Sequence, residues 1–129
     1  MVIDSSALIA ILENEAESPA LRGAIGRDAV RLISAATMVE ASIVALARRG
    51  EPGLAILDVF CERADIVVVP LENDQVRAAV DAFRRFGKGR HPAGLNFGDC
   101  FSYALARTTG ESLLFKGGDF SLTDVTPAA

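Results

Sequence analysis

Soft metal ligands and ready-made nucleophile systems are nearly missing from this chain. There is one histidine, His91, and two cysteines, Cys61 and Cys100, in 129 residues. The cysteines form no Cys-x-x-Cys pair and fall in segments that read as helices, which argues against zinc and for two free thiols in a cytosolic protein. No Ser/His/Asp or Cys/His arrangement is readable, and neither a P-loop nor a Gly-x-Gly-x-x-Gly fingerprint occurs. Gly87-Lys88-Gly89 is too short to cradle a phosphate. No apolar run approaches the length of a bilayer span, and Met1-Val2-Ile3-Asp4 lacks a signal-peptide layout. Positive charge is short as well: 13 Lys and Arg against 17 Asp and Glu give a net charge of −4. That balance disfavours a membrane surface and a purely basic nucleic-acid surface. It does not exclude phosphate ligands, because divalent cations held by carboxylates reverse the local sign.

What is present is a core-forming pattern. Hydrophobic residues make up 50% of the chain, enough for one self-sufficient domain over residues 1–129. Short apolar runs read as buried strands at Val2-Ile3, Arg31-Leu32-Ile33, Ile66 to Val69 and Leu113-Leu114-Phe115. Between them lie helical patterns. Ser5 and Ser6 cap Ala7 to Leu12, and a second helix runs from about Pro19 to Gly26. The next opens at Ser34 or Thr37, shows Val39, Ile43 and Leu46 as its inner stripe, and stops near Gly50. Leu54, Leu57, Cys61 and Ala64 follow after the Pro52-Gly53 turn. Val76, Ala79, Val80 and Phe83 form the inner face of a further helix, with Arg77, Asp81, Arg84 and Arg85 outward. Asn96 caps a last helix that Gly110 ends. Alternating strands and helices of this kind predict a three-layer α/β/α sandwich around a central parallel sheet.

Four acids, Asp4, Glu40, Asp99 and Asp119, sit where a strand ends or a helix begins. In an open parallel sheet the carboxyl ends of the strands carry the site, so these residues are expected to converge there. Each also has an ordinary reading. Asp4 suits a helix cap, Thr37-x-x-Glu40 a capping box, Asp99 the third helical position after Asn96, and Asp119 a turn. Glu40 fits its ordinary reading least, because it shares a stripe with Ala36, Ile43, Val44 and Ala47, and a carboxylate facing a core is costly unless paired, protonated or metal-bound. Clustered carboxylates without histidine or thiolate suit Mg²⁺ or Mn²⁺. The reaction that such ions support best here is phosphodiester hydrolysis.

Val2-Ile3-Asp4-Ser5-Ser6-Ala7, Glu40 after Ser34-Ala35-Ala36-Thr37, Asn96-Phe97-Gly98-Asp99-Cys100 and Leu114-Phe115-Lys116-Gly117-Gly118-Asp119-Phe120 together resemble the PIN domain, and within it the VapC toxins of type II toxin–antitoxin pairs. The resemblance spans essentially the whole chain. It implies a Mg²⁺- or Mn²⁺-dependent ribonuclease, a homodimer, and inhibition by a VapB-like antitoxin in a hetero-oligomer that binds its own promoter through the antitoxin. Asp4, Glu40 and Asp99 match the acids tied to metal binding. Many relatives carry Asp or Asn where this chain has Gly117, so Asp119 takes the fourth place, as a ligand of a second ion or a residue behind the direct ligands. Ser6 matches a small hydroxyl that orients a carboxylate or a water.

Lys88 and Arg90, in the loop before the helix bearing Asp99, are the candidate RNA-backbone contacts, with Lys116 as a further one. Arg84, Arg85 and His91 belong to the same basic run, His91 reading as a surface residue rather than a general base. Met38, Phe60, Phe83 and Phe101 read as core filling. Tyr103 lies one turn after Asp99, within reach of it or of a partner elsewhere. Two alternatives remain at this level. One is a catalytically silent PIN-like binding module. The other is a phosphoacceptor signalling domain, which should carry adjacent acids after the first strand and an acceptor Asp after the central one. This chain has Ser5-Ser6 and Pro70-Leu71-Glu72 at those places.

Overall fold

The computed structural model describes residues 1–129, and its centre is a four-stranded sheet. The strands are β1 (Val2–Ile3), β2 (Leu32–Ser34), β3 (Val67–Val69) and β4 (Leu113–Leu114). All three pairings are parallel, in the order β3-β2-β1-β4, with Val2 opposite both Leu32 and Leu113. The helices are α1 (Ser5–Leu12), α2 (Ser18–Arg27), α3 (Ala35–Arg63), α4 (Asn73–Phe86) and α5 (Phe97–Thr109). Alternation along β1 and β4 divides the core in two. Ile3 and Leu114 join α1, α2 and α3 residues such as Leu8, Ile11, Leu21 and Leu57. Val2 and Leu113 join α4 and α5 residues such as Ala82, Phe86, Tyr103 and Leu105. The sheet is thus the middle layer of the expected α/β/α sandwich.

Helix boundaries follow local chemistry. The N-cap of α1 is Asp4 rather than Ser5 or Ser6, because the Asp4 carboxylate accepts the Ser6 backbone N–H. Asn96 and Asp99 close a reciprocal capping box on α5, and Gly110 ends it in the left-handed conformation. α3 is two helices meeting at Gly50, whose φ of 66° and ψ of −159° suit glycine almost alone. Pro52 lies just beyond this break, in the first turn of the second half, where it is tolerated.

The apolar stripes are oriented differently from the sequence reading. On α3 the buried residues before Gly50 are Thr37, Ala41 and Ala45, whereas Val39, Ile43 and Leu46 are exposed. On α4 the buried residues are Gln75, Ala79, Ala82 and Phe86, while Val76, Val80 and Phe83 face outward. Small residues allow the helices to approach the rest of the fold closely, and that leaves the bulky stripe on the outside. β3 is an edge strand with Val67 and Val68 exposed, not a fully covered one. No helix is long and apolar enough to cross a membrane.

Backbone geometry sets a stability test. Gly50→Ala forces a side chain into a strained region and is expected to cost about 1–3 kcal/mol. Gly26→Ala, at a helical site with open space around the new methyl, should instead stabilise by about 0.5–1 kcal/mol. Urea unfolding of both variants checks the pair, and equal effects would contradict the assigned break.

Candidate active site

β1 ends at Asp4, at the carboxyl edge of the sheet. The side chain is 2% exposed. Its Oδ2 accepts the Ser6 backbone N–H at 3.0 Å and its Oδ1 accepts the Ser102 hydroxyl at 2.5 Å. Thr37 Oγ1 lies 3.3 Å from Ser102 Oγ, inside the fold. Glu40, on the second turn of α3, accepts the Ser5 hydroxyl at 2.7 Å. Asp99, in the first turn of α5, accepts the Asn96 backbone N–H at 3.0 Å. Asp119 is exposed and immediately precedes the short 3₁₀ turn Phe120–Leu122, whose Phe120 is buried.

The Asp99 carboxyl senses the other three. Desolvation is the largest cause raising the Asp99 carboxyl to about 6, against the lowering hydrogen bond from Asn96. The charges of Asp4, Asp119 and Glu40 push it in the same upward direction as burial. None of the four takes part in a salt bridge. Nor do any three of them close into a ready-made coordination shell. The result is an open, oxygen-only donor set of like charges around a buried carboxylate that lacks a cationic partner. That set fits Mg²⁺ or Mn²⁺, which take one or two carboxylates and keep waters in the remaining positions.

Several sequence expectations change in detail. Glu40 is not directed into the core; it stands at the rim of an apolar surface hollow with Ala36, Val39, Ile43, Val44, Phe97 and Phe101. Thr37 does not form a capping box with it, since the Thr37 hydroxyl meets Ser102 instead. A methyl at Gly98 would meet the Glu40 carboxylate, so a side chain there would displace the flexible end of Glu40 from its present position. The Ser6 hydroxyl accepts the Lys116 backbone N–H at 3.0 Å, tying α1 to the loop after β4, and it is the Ser6 main chain that holds Asp4. Ser102 was missed as a site residue. Its signal was an aliphatic hydroxyl among Cys100, Tyr103, Ala104 and Leu105, one turn beyond Asp99.

The basic residues separate clearly. Arg84 pairs with Asp81, and Arg85 with Asp81 and Asp124. The Lys116 ammonium is engaged by Glu15 and Glu17. Lys88 and Arg90 are exposed and outside every ion pair. His91 packs edge-on against Phe86, and its Nδ1 accepts the Ala93 N–H. The Tyr103 hydroxyl donates to Asp124 at 2.7 Å rather than to Asp99.

Comparison with known proteins shows the family. The PIN domain profile matches residues 1–125. The chain belongs to the PIN-domain family. It falls among the VapC members: it is 54% identical over 125 residues to Ribonuclease VapC of Mycolicibacterium smegmatis, with 97% of each chain covered. It is 49% identical over 129 residues to Ribonuclease VapC30 of Mycobacterium tuberculosis, covering 100% of this chain and 98% of that one. The crystal structure of VapC20 from Mycobacterium tuberculosis, described as a sarcin-ricin loop cleaving toxin, superposes with a TM-score of 0.79. That match covers 97% of this chain and 95% of the other at 17% identity, and it supports the PIN fold alone. Membership in this family removes the basis for the phosphoacceptor alternative.

The raised Asp99 carboxyl predicts a pH signature for the metal-free protein. Its folded value, about 6, lies above the ordinary 3.8, so the native state holds an extra proton between these values. The contribution of Asp99 to stability should be full below pH 4 and be lost as pH rises towards 6, by roughly 1–3 kcal/mol after solvent screening. Asp99→Asn keeps an acceptor for Asn96 and removes the charge. In EDTA it should be more stable than the parent at pH 7 and similar to it at pH 4. Parallel pH profiles in urea unfolding would contradict the shared-charge description.

Proposed function

We propose that this PIN-domain chain is a metal-dependent endoribonuclease toxin of the VapC type, neutralised by a cognate VapB-like antitoxin. One observation carries the reading: the buried Asp4 carboxylate has no cationic partner, and its charge, with those of Asp119 and Glu40, adds to burial in raising the Asp99 carboxyl. Asp4, Glu40 and Asp99 would hold the principal Mg²⁺ or Mn²⁺, and Asp119 would assist from the loop after β4. When bound, the ion supplies a water of lowered pKa and neutralises charge on the scissile phosphate. The protein's part is positional. α1 and α5 fix Asp4 through Ser6 and Ser102, the capping box fixes Asp99, and Ser5 fixes Glu40.

Lys88 and Arg90 would hold the RNA backbone beside the pocket, since they are the free cations of the loop that leads into Asn96 and Asp99. The exposed face of α3, α4 and α5 supports a homodimer. Phe97 is 80% exposed and stands between the Glu40 hollow and an all-apolar hollow of about 490 Å³ lined by Leu71, Val76, Val80 and Phe83. A ridge and a hollow on one face suit a two-fold pairing of identical chains. The names of the VapC relatives and the retained acids favour an active enzyme over a silent binding module.

The test is incubation of purified, antitoxin-free protein with total cellular RNA in Mg²⁺, Mn²⁺ or EDTA. Discrete fragments are expected with metal only, and Asp4→Asn should lower cleavage at least about a hundredfold while folding normally. Folded, metal-loaded protein that leaves RNA intact would contradict the proposal. For RNA binding, Lys88→Ala/Arg90→Ala should flatten the dependence of log affinity on log salt by roughly 1 to 1.5. An unchanged slope would remove this loop from the RNA contact.

A further inference from the structure

Ser102 and Thr37 are both 0% exposed, as deeply buried as any residues of the fold. A buried hydroxyl costs free energy unless bonded, and the rest of the buried face of α5 is Cys100, Tyr103, Ala104, Leu105 and Ala106. An alanine would suit that face as packing. The hydroxyl does something that packing does not require: it donates to Asp4 Oδ1 at 2.5 Å. A serine has a single hydroxyl proton, and that proton is committed to Asp4. The 3.3 Å contact between Thr37 Oγ1 and Ser102 Oγ therefore runs from Thr37 to Ser102. The direction of the relay is fixed as Thr37 to Ser102 to Asp4, joining α3, α5 and the end of β1.

We infer that Ser102, polarised by Thr37, is a positioning residue that sets the plane of the Asp4 carboxylate for divalent metal. The inference rests on the reading of the pocket as a metal site. With Ser6 N–H on Oδ2 and Ser102 on Oδ1, each oxygen is held by one bond and keeps a lone pair for the pocket. Ser102 lies one turn beyond Asp99 on the same helix. α5 therefore fixes the separation of Asp99 from Asp4 and the orientation of Asp4 together. Chained hydroxyls also strengthen one another in a dry interior, which makes Thr37 a contributor although it touches no acid.

The experiment is Mn²⁺ titration of the wild type, Ser102→Ala, Ser102→Thr and Thr37→Val, beside thermal unfolding in EDTA and RNA cleavage across Mn²⁺ concentrations. Ser102→Ala should weaken Mn²⁺ binding about tenfold or more, and should raise the half-saturating Mn²⁺ for cleavage in parallel. Ser102→Thr, which keeps the hydroxyl, should restore binding to within about threefold of wild type. Thr37→Val removes one hydroxyl at nearly constant volume and should weaken binding more mildly. It carries the same test should Ser102→Ala fail to fold. Unchanged Mn²⁺ affinity in a folded Ser102→Ala, even with a lowered melting temperature, would leave only a structural bond and overturn the inference. Wild-type protein that binds no Mn²⁺ would overturn the metal reading itself, and this inference with it.

Discussion

Asp4 is a carboxylate buried at the end of the central strand with no cation near it, and the rest of the site is arranged around that fact. Effective desolvation of an ion in a protein interior costs several kcal/mol. Its two hydrogen bonds, from Ser6 and Ser102, return about 1.5–3 kcal/mol each for a charged acceptor. The two sides roughly balance, so the carboxylate is tolerated but gains little. A divalent cation tips that balance strongly. The Asp99 carboxyl, raised by its own burial and then by the charges of Asp4, Asp119 and Glu40, reports the same condition. Charge has been concentrated where a proton or a counter-ion relieves it.

The scaffold explains how a short chain maintains such a pocket. β1 lies between β2 and β4, so Asp4 leaves the sheet at its middle. α5 packs closely on α4 and brings Asp99 and Ser102 to the same edge. The loop after β4 is anchored by Ser6 Oγ and by the buried Phe120, and it carries Asp119 on its exposed side. Farther out, Tyr103, Arg85 and Arg107 gather on Asp124 and hold the carboxyl-terminal segment beside β4. Helix caps and site ligands are not competing assignments here. Asp4 and Asp99 cap their helices, and in the proposed function the same residues would be ligands, because a cap fixes a carboxylate at a helix start and a helix start lies at the sheet edge.

Much of this was legible in the sequence. The strand–helix alternation, the break at Gly50, the Asn96 cap and the Gly110 stop are local chemistry, and each lies where its residues place it. The positions of Asp4 and Asp99 at helix starts were legible from capping chemistry. Two things were not. Hydrophobic periodicity marks a face that avoids water without saying what covers it, so Val39, Ile43 and Leu46 on α3 and Val76, Val80 and Phe83 on α4 read as core. They are exposed, and the true inner faces are made of Ala41, Ala45, Ala79 and Ala82. Hence Glu40 drew notice for a burial that belongs to Asp4. The Ser102–Asp4 contact spans 98 positions, and no local pattern encodes a hydrogen bond at that separation.

The most direct test of the central claim is anomalous scattering from crystals of the protein grown with Mn²⁺. A peak in direct ligation distance of Asp4 and Asp99, lost in Asp4→Asn crystals of the same form, is the predicted result. Well-ordered crystals in which that pocket shows no Mn²⁺ peak, with all four carboxylates satisfied by protein or water, would contradict it.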